Sequence, residues 1–389
     1  MKVLYVVPTY YPAHFYGGPI QSVYHLCRNI SRLGGQVRVL TTNANGPRSD
    51  LKVAANVEQE LDDGVRVTYC RRVLPQTIAP TLLAKLPAMV RWADVVHLTA
   101  VYSFPIIPTL LDCRLARKPV VWSPRGALQR WQGSTRVLMK DAWDGVSRLV
   151  KPRRLVLHVT SEEEAVESVR RYPGVATAII PNGVEIPETV LHPESAGRLR
   201  MVFLGRIHQK KGIENLLDAC EALGGVIDWS LTIAGTGDPA YVQSIAARID
   251  RLGLAHKVRM IGAAVGEAKR RLFENADLMV TPSFTENFAI VVAEALAHGV
   301  PVLASRGTPW HELPDRGCGD WIENDPASLR AGILRMSRMD LRRMGERGRE
   351  WMLRDFSWHE RAEETWRLYE GLISAPAGAG APGNLIQAS

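Results

Sequence analysis

The chain is expected to be an α/β protein made of two doubly wound parallel-sheet domains that face each other across a cleft. Two observations carry this expectation. Short apolar runs of strand length alternate with helical patterns through the first half, and the alternation restarts at Leu199. Between the halves lies a polar segment, Glu188–Arg198, with prolines at Pro187 and Pro193. The length of 389 residues agrees, at about 150 residues per domain.

The elements follow in order. Val3–Val7 reads as the first strand, and Tyr16-Gly17-Gly18-Pro19 as the loop after it. A helical pattern runs from about Ile20 to Leu33, Gly34-Gly35 stops it, and Val37–Leu40 is the next strand. Further strands are expected at 65–69, 94–98, 119–122 and 155–159. In the second half the strands are Leu199–Leu204, Ser230–Ala234, Val258–Ile261, Leu278–Thr281 and Val300–Ala304. Helices are expected at Ile213–Leu223, near 239–252, and at Phe288–His298. The domains are therefore placed at 1–190 and 191–355, with a helix at 356–373. The Ala/Pro/Gly-rich tail, 374–389, is expected to be disordered.

Composition excludes several classes. With 46% hydrophobic and 23% charged residues, the chain is neither disordered nor fibrous. Five widely spaced cysteines with no C-x-x-C pair argue against a zinc or redox motif and fit a reduced cytosolic compartment. Met1–Pro12 reads as a strand and its loop, not as a secretory leader. The uncharged stretch Val95–Leu111 carries His97, Thr99, Pro105 and Pro108, and is too short and polar to span a bilayer. The net charge of +8 resides wholly in residues 1–195, which leaves nucleic acid, a membrane surface or an acidic substrate open.

Ligands of open α/β sheets bind at the carboxyl ends of the strands, so the loops there carry the chemistry. Gly17-Gly18 follows the first strand and opens a helix, which lets backbone approach a phosphate. This is not G-x-G-x-x-G, and no acidic residue closes Val37–Leu40, which argues against NAD. Gly205-Arg206-Ile207-His208-Gln209-Lys210-Lys211-Gly212 ends the first strand of the second half. Its Arg206 and Lys211 are two cations suited to a departing diphosphate. After the strand Leu278–Thr281, the chain turns through Glu286 and is expected to enter a helix near Asn287. There the free N–H groups of Asn287, Phe288 and Ala289 would form an anion site. Glu294 lies two turns further, in an apolar helix where a lone carboxylate needs a polar partner such as a sugar hydroxyl. No D-x-D motif occurs, and Asp62-Asp63 reads as a surface turn, so no essential metal is expected.

These segments resemble a retaining glycosyltransferase of the GT-B fold, of the glycosyltransferase family 4 type, over nearly the whole chain. The resemblance rests on Glu286-x7-Glu294, on Gly205-Arg206 with Lys211-Gly212, and on Pro181-Asn182-Gly183-Val184. Ser123-Pro124-Arg125-Gly126 and Gly307-Thr308-Pro309-Trp310 resemble a branch that builds bacterial surface polysaccharides. The resemblance implies two Rossmann-like domains, with the Phe356–Tyr369 helix crossing back onto the first. It implies that Arg206 and Lys211 hold the diphosphate of a nucleotide sugar, with Gly17 and Gly18 approaching it. It also implies that Glu286 contacts the donor sugar, that Asn287–Ala289 bind sugar and phosphate, and that Glu294 holds the ribose. On the acceptor side it implies Arg125 and Thr99. His97 would join the catalytic groups; the family's sugar-contacting histidine matches the position where this chain has Thr99, and Ala289 stands where the family has glycine.

The implied reaction moves a sugar from a nucleoside diphosphate to a hydroxyl with retention, by attack on the face the leaving group departs from. A sugar-nucleotide 2-epimerase of the same shape and a non-catalytic adaptor for anionic lipid are the rival readings. Nucleic-acid binding lacks any motif. Residues 66–154 hold 16 Lys+Arg against 4 Asp+Glu, and Leu128–Val150 mixes cations with Trp131, Leu138, Met139, Trp143 and Val146. That mixture suits an interfacial element on an anionic membrane. The expectation is a cytoplasmic enzyme, peripheral on the inner face of the membrane, with a lipid-linked or oligosaccharide acceptor.

Overall fold

The computed structural model describes residues 1–13, 15, 17–46, 49–74, 78–129, 137–192 and 197–375. The tail from 376, Trp131 with its basic neighbours Arg130 and Arg136, and the linker residues 193–196 lie outside these. The chain divides into two units, Met1–Gly183 with Trp358–Ser389, and Val184–Ser357.

In the first unit the elements are β1 (Lys2–Val6), α1 (Gly18–Arg32), β2 (Gln36–Thr42), β3 (Glu58–Glu60), β4 (Arg66–Cys70), α2 (Pro80–Trp92), β5 (Val95–Thr99), α3 (Ile106–Leu115), β6 (Val120–Ser123), α4 (Val137–Val150), β7 (Leu155–Val159), α5 (Glu162–Arg171) and β8 (Ala176–Ile179). The sheet order is β3-β4-β2-β1-β5-β6-β7-β8, parallel except for β3 against β4. Alternation along β1 sends Val3 and Tyr5 into one core and Leu4 and Val6 into the other, so both sheet faces are covered. Val23, Cys27 and Ile30 of α1 line the first core.

The second unit contains β9 (Leu199–Leu204), α6 (Ile213–Leu223), β10 (Trp229–Ala234), α7 (Pro239–Arg251), β11 (Val258–Met260), α8 (Glu267–Glu274), β12 (Leu278–Thr281), α9 (Ile290–Ala297), β13 (Val302–Ser305), β14 (Gly319–Ile322), α10 (Pro326–Met336) and α11 (Leu341–Asp355). Its sheet is parallel with order β11-β10-β9-β12-β13-β14. The last helix, α12 (Trp358–Ser374), belongs to the first unit, where Trp358, Ala362, Leu368, Tyr369 and Leu372 join the core of α1.

The unit boundary falls at Gly183–Val184, ahead of the 190/191 position read from the polar segment. Val184 is buried in the second unit's core, and its N–H donates to the Phe356 carbonyl at 2.8 Å. The segment Val184–Pro187 is apolar enough to pack there, so composition placed the boundary too late.

Candidate functional site

In each sheet the chain reverses direction once. In the second unit it does so between β9 and β12, the switch point where ligands of open sheets bind. Loop 205–212 follows β9 and loop 282–289 follows β12. The first tightens into a 3-10 turn, Gln209–Lys211, where the His208 ring accepts the Lys210 N–H at 3.0 Å. Gly212 then has φ +63, and a Cβ there would stand 2.1 Å from the Pro282 carbonyl oxygen, so only glycine lets the two loops touch. Phe284 N–H donates to the Lys210 carbonyl at 2.9 Å and Glu286 N–H to that of Gly307 at 2.7 Å. Asn324 holds the Pro282 carbonyl at 2.6 Å.

This bracing brings Lys211 onto Glu286 as an ion pair. Ser283 Oγ also donates to Glu286 Oε1, at 2.7 Å. Burial by itself would raise the Glu286 carboxyl. The Lys211 ammonium, the hydrogen bonds from Lys211 and Ser283, and the Lys210 charge outweigh it and hold the group below its ordinary value. Arg206 is exposed and makes no ion pair among the described residues. Lys210 is half-buried; burial pushes its ammonium below the usual value, against the pull of Glu286. One predicted site cation, Lys211, is therefore brought together with one predicted carboxylate, Glu286. Ser283 and Lys210 join them, although the sequence reading assigned them no role, because their relevance depends on how the loops fold over each other.

The expected helix start near Asn287, on which the anion site at Asn287–Ala289 was placed, is corrected. The helix begins at Ile290, and Ala289 precedes it in the left-handed region, φ 55 and ψ 60. The apolar run starts earlier than the helix because Phe288 packs on Trp310, whose Nε1–H donates to the Phe288 carbonyl at 2.5 Å. Glycine suits such a backbone, which is the physical reason alanine is unusual there. Glu294 is paired with Lys269 at 2.7 Å, a partner on α8 that the helical pattern did not reveal.

In the first unit the switch point lies between β1 and β5. Gly17, φ +66, caps the N-terminus of α1, which opens at Gly18. His97, expected among the catalytic groups, is fully enclosed and has both ring nitrogens engaged, so it cannot touch a sugar in this arrangement. Its hydrogen bonds have one possible direction. The Ile180 carbonyl can only accept, so Nε2 of His158 donates to it at 3.0 Å. His158 Nδ1 then accepts from Ser123 at 2.9 Å, Ser123 accepts from His97 Nε2 at 2.7 Å, and His97 Nδ1 accepts from Tyr369 at 2.5 Å. Tyr369 in turn accepts from Tyr5 at 2.7 Å. Burial, then the neighbouring His158 and Arg125 charges, push His97 well below its ordinary value; burial and Arg125 take His158 down to about 3. The series ties α12 to the ends of β1, β5 and β6.

Arg125 sits just beyond β6 at φ 54 and donates to Asn182 Oδ1 at 2.5 Å, joining two of the motif segments. Its Nε and the Oγ1 of Thr99 are buried without a hydrogen-bond partner among the described residues. Glu164, the carboxylate nearest in charge to Arg125, is occupied by the Gly126 and Thr160 N–H groups at 2.6 and 2.8 Å.

Comparison with known families matches both units. Residues 16–187 match the glycosyltransferase family 4 model, and residues 192–351 match the glycosyl transferases group 1 model. The chain belongs to the family 4 type of GT-B glycosyltransferases. Among its GT-B relatives is a phosphatidyl-myo-inositol mannosyltransferase of Mycobacterium leprae, 33% identical over 210 residues, which are 50% of this chain and 54% of that one. The chain thus spans about half the length of the curated relatives it matches. Sucrose-phosphate synthase from Thermosynechococcus elongatus superposes with a TM-score of 0.74 at 19% identity, covering 97% of this chain and all (100%) of that one. HepE of Anabaena, solved in complex with UDP and glucose, gives 0.73 at 17% identity, covering 95% and 99%. These structures share the GT-B fold with it.

Proposed function

We propose that this GT-B protein transfers a sugar from a nucleoside-diphosphate donor to a hydroxyl of a glycan acceptor, with retention. The observation that carries the reading is the Lys211–Glu286 ion pair at the switch point, with Ser283 on the carboxylate and Arg206 exposed on the same loop as Lys211. In the transition state, positive charge builds on the sugar and negative charge on the diphosphate. Lys211 and Arg206 stabilise the latter, and Glu286, kept ionised, stabilises the sugar and accepts from its hydroxyls. The bond from the anomeric carbon to the diphosphate oxygen breaks as the bond to the acceptor oxygen forms on the same face. The acceptor proton passes to the departing phosphate oxygen. Glu294 completes the donor site in this reading, and Arg125 and Thr99 serve the acceptor. His97 acts by holding the strand ends. The cations present are sufficient for the diphosphate, so no metal is required; EDTA is expected to leave turnover intact.

The donor base is proposed to be uracil or guanine, and the pathway to be bacterial polysaccharide assembly. The support is the binding of UDP by HepE and a match to an amylovoran biosynthesis glycosyltransferase of Erwinia amylovora.

The acceptor is proposed to be lipid-linked, met at the inner face of the cytoplasmic membrane. The support is α4, which turns Asp144 and Ser147 inward and apolar side chains outward. Leu138 is 86% exposed and Leu149 74%, and Leu115 of α3 is 72% exposed. No described helix is long and apolar enough to cross a membrane.

The test is incubation with UDP-, GDP- and ADP-sugars, with and without a membrane-lipid acceptor fraction. Acceptor-dependent release of nucleoside diphosphate supports the transferase. Release with an epimerised free sugar and no acceptor favours the 2-epimerase and sinks it.

A further inference from the structure

The cations of helix α8 divide. Arg270 pairs with Glu267 and Glu274, and Arg271 with Glu267, all on α8 itself. Lys269 instead crosses to α9, where its Nζ donates to Glu294 Oε1 at 2.7 Å. The reason is its place on the helix. Lys269 stands one turn before Phe273, on the face that α8 turns to the core, and Glu294 stands one turn before His298 at the end of α9. Phe273 is fully buried and lies on the His298 ring, with centroids 4.9 Å apart. Two successive rungs therefore join the helices, an ion pair and an aromatic contact. Both helices run away from the carboxyl edge of their sheet, so the ion pair is the rung nearer that edge, where the ligand loops lie.

We propose that Lys269 is a positioning residue for the donor nucleotide: it holds one oxygen of Glu294 so that the other, Oε2, accepts from the ribose hydroxyls. The inference rests on the donor reading above, in which Glu294 meets the ribose. The remaining side chains of α9, Ile-Val-Val-Ala and Ala-Leu-Ala, are apolar and offer the carboxylate nothing, so its direction is set from α8. Lys269 takes Oε1. The Glu294 side chain is 20% exposed, and its Oε2 has no hydrogen-bond partner among the described residues, which leaves that oxygen to a ligand. The pair also settles a conflict of charge. A bare carboxylate would repel an anionic diphosphate bound at the same edge, whereas Lys269 cancels that charge and keeps the accepting lone pairs of Oε2 in place.

The test is isothermal calorimetry. UDP, GDP and ADP are screened on the wild-type chain, and the one that binds is compared with its dideoxy analogue, which lacks both ribose hydroxyls. The proteins are wild type, Lys269→Met, Lys269→Arg and Glu294→Ala, with Lys269→Ala in place of Lys269→Met if methionine misfolds the chain. The readout is the ratio of the two affinities. General loosening of the second unit weakens both nucleotides alike and does not move it. Wild type is expected to favour the ribonucleotide roughly tenfold or more, as for hydrogen bonds to a charged group. The ratio should fall to within about threefold in Glu294→Ala and in Lys269→Met, and return in Lys269→Arg. A ratio lost in Glu294→Ala but kept in Lys269→Met overturns the inference and leaves the ribose reading standing. So does a ratio that arginine fails to restore, since a cation there should hold the same oxygen. A wild type without preference, or a Glu294→Ala protein that keeps it, overturns the ribose reading and the inference with it. A folded wild-type chain that binds none of the three nucleotides overturns the whole donor reading.

Discussion

Acidification from about pH 7.5 to about pH 5 is expected to destabilise the first unit through its enclosed histidines. His158 titrates near 3 in the fold against an ordinary 6.5. Between those values the unfolded chain binds a proton that the folded chain excludes, so stability falls as pH falls, beginning near 6.5 and levelling off near 3. At about pH 5 the unfolded value lies about 1.5 units above the solution, which corresponds to about 2 kcal/mol from this residue. The magnitude is insensitive to the folded value, because pH 5 is well above it. His97, shifted in the same direction, adds to the effect. Urea-dependent hydrogen exchange of β5–β7 reads the first unit alone. Wild type should lose about 2 kcal/mol more than His158→Gln over this interval. Equal losses in the two proteins, or strengthening of wild type on acidification, would refute the argument.

Other consequences are open to measurement. Ala289→Gly relieves a left-handed alanine worth about 1–2 kcal/mol against about 0.5–1 kcal/mol of added chain entropy, so a rise of about 0.5–1 kcal/mol in thermal or urea stability is expected; a lower stability contradicts it. Gly212→Ala puts a methyl onto the Pro282 carbonyl and should cost about 3 kcal/mol, seen as an earlier melting transition of the second unit. Tyr369→Phe removes the donor to His97 and should cost about 1–3 kcal/mol in α12 docking, read by hydrogen exchange of 358–374. Glu286→Gln should leave the fold intact by circular dichroism and lower turnover by roughly a hundredfold or more; unchanged turnover excludes a role for the carboxylate.

Much of the site was legible because its chemistry is local. Gly205–Gly212 and Thr281–Val302 each follow an apolar run of strand length, and the residue types within them, cations before a helix and carboxylates on an apolar stretch, state their electrostatic needs without knowledge of the fold. The helix start at Ile290 was not legible. Phe288 and Ala289 continue the apolar pattern, and only the packing of Phe288 on Trp310 breaks it. The partner of Glu294 was likewise hidden, because Lys269 belongs to a separate helix, α8, whose polar sequence has no link to Glu294 along the chain. Strand β14, Gly-Asp-Trp-Ile, is short and half-buried at a sheet edge and has neither alternation nor an apolar run. Helix α4 shows the opposite failure. Its amphipathic pattern was plain, but the sequence did not say which face turns outward, and the structure turns the apolar one out.

The order of residues alone settled the two doubly wound α/β halves, most of their strands and the two motif loops, since apolar runs and the polar breaks between elements are read off neighbours along the chain. The pairing of Lys211 with Glu286, the exposure of Arg206, the half-burial of Lys210 and the enclosure of His97 were decided by tertiary contacts. Each depends on which loop lies over which at the carboxyl edge of a sheet. Burial and electrostatic partnership are properties of distance in space, and segments remote in the chain share no local signal of becoming neighbours.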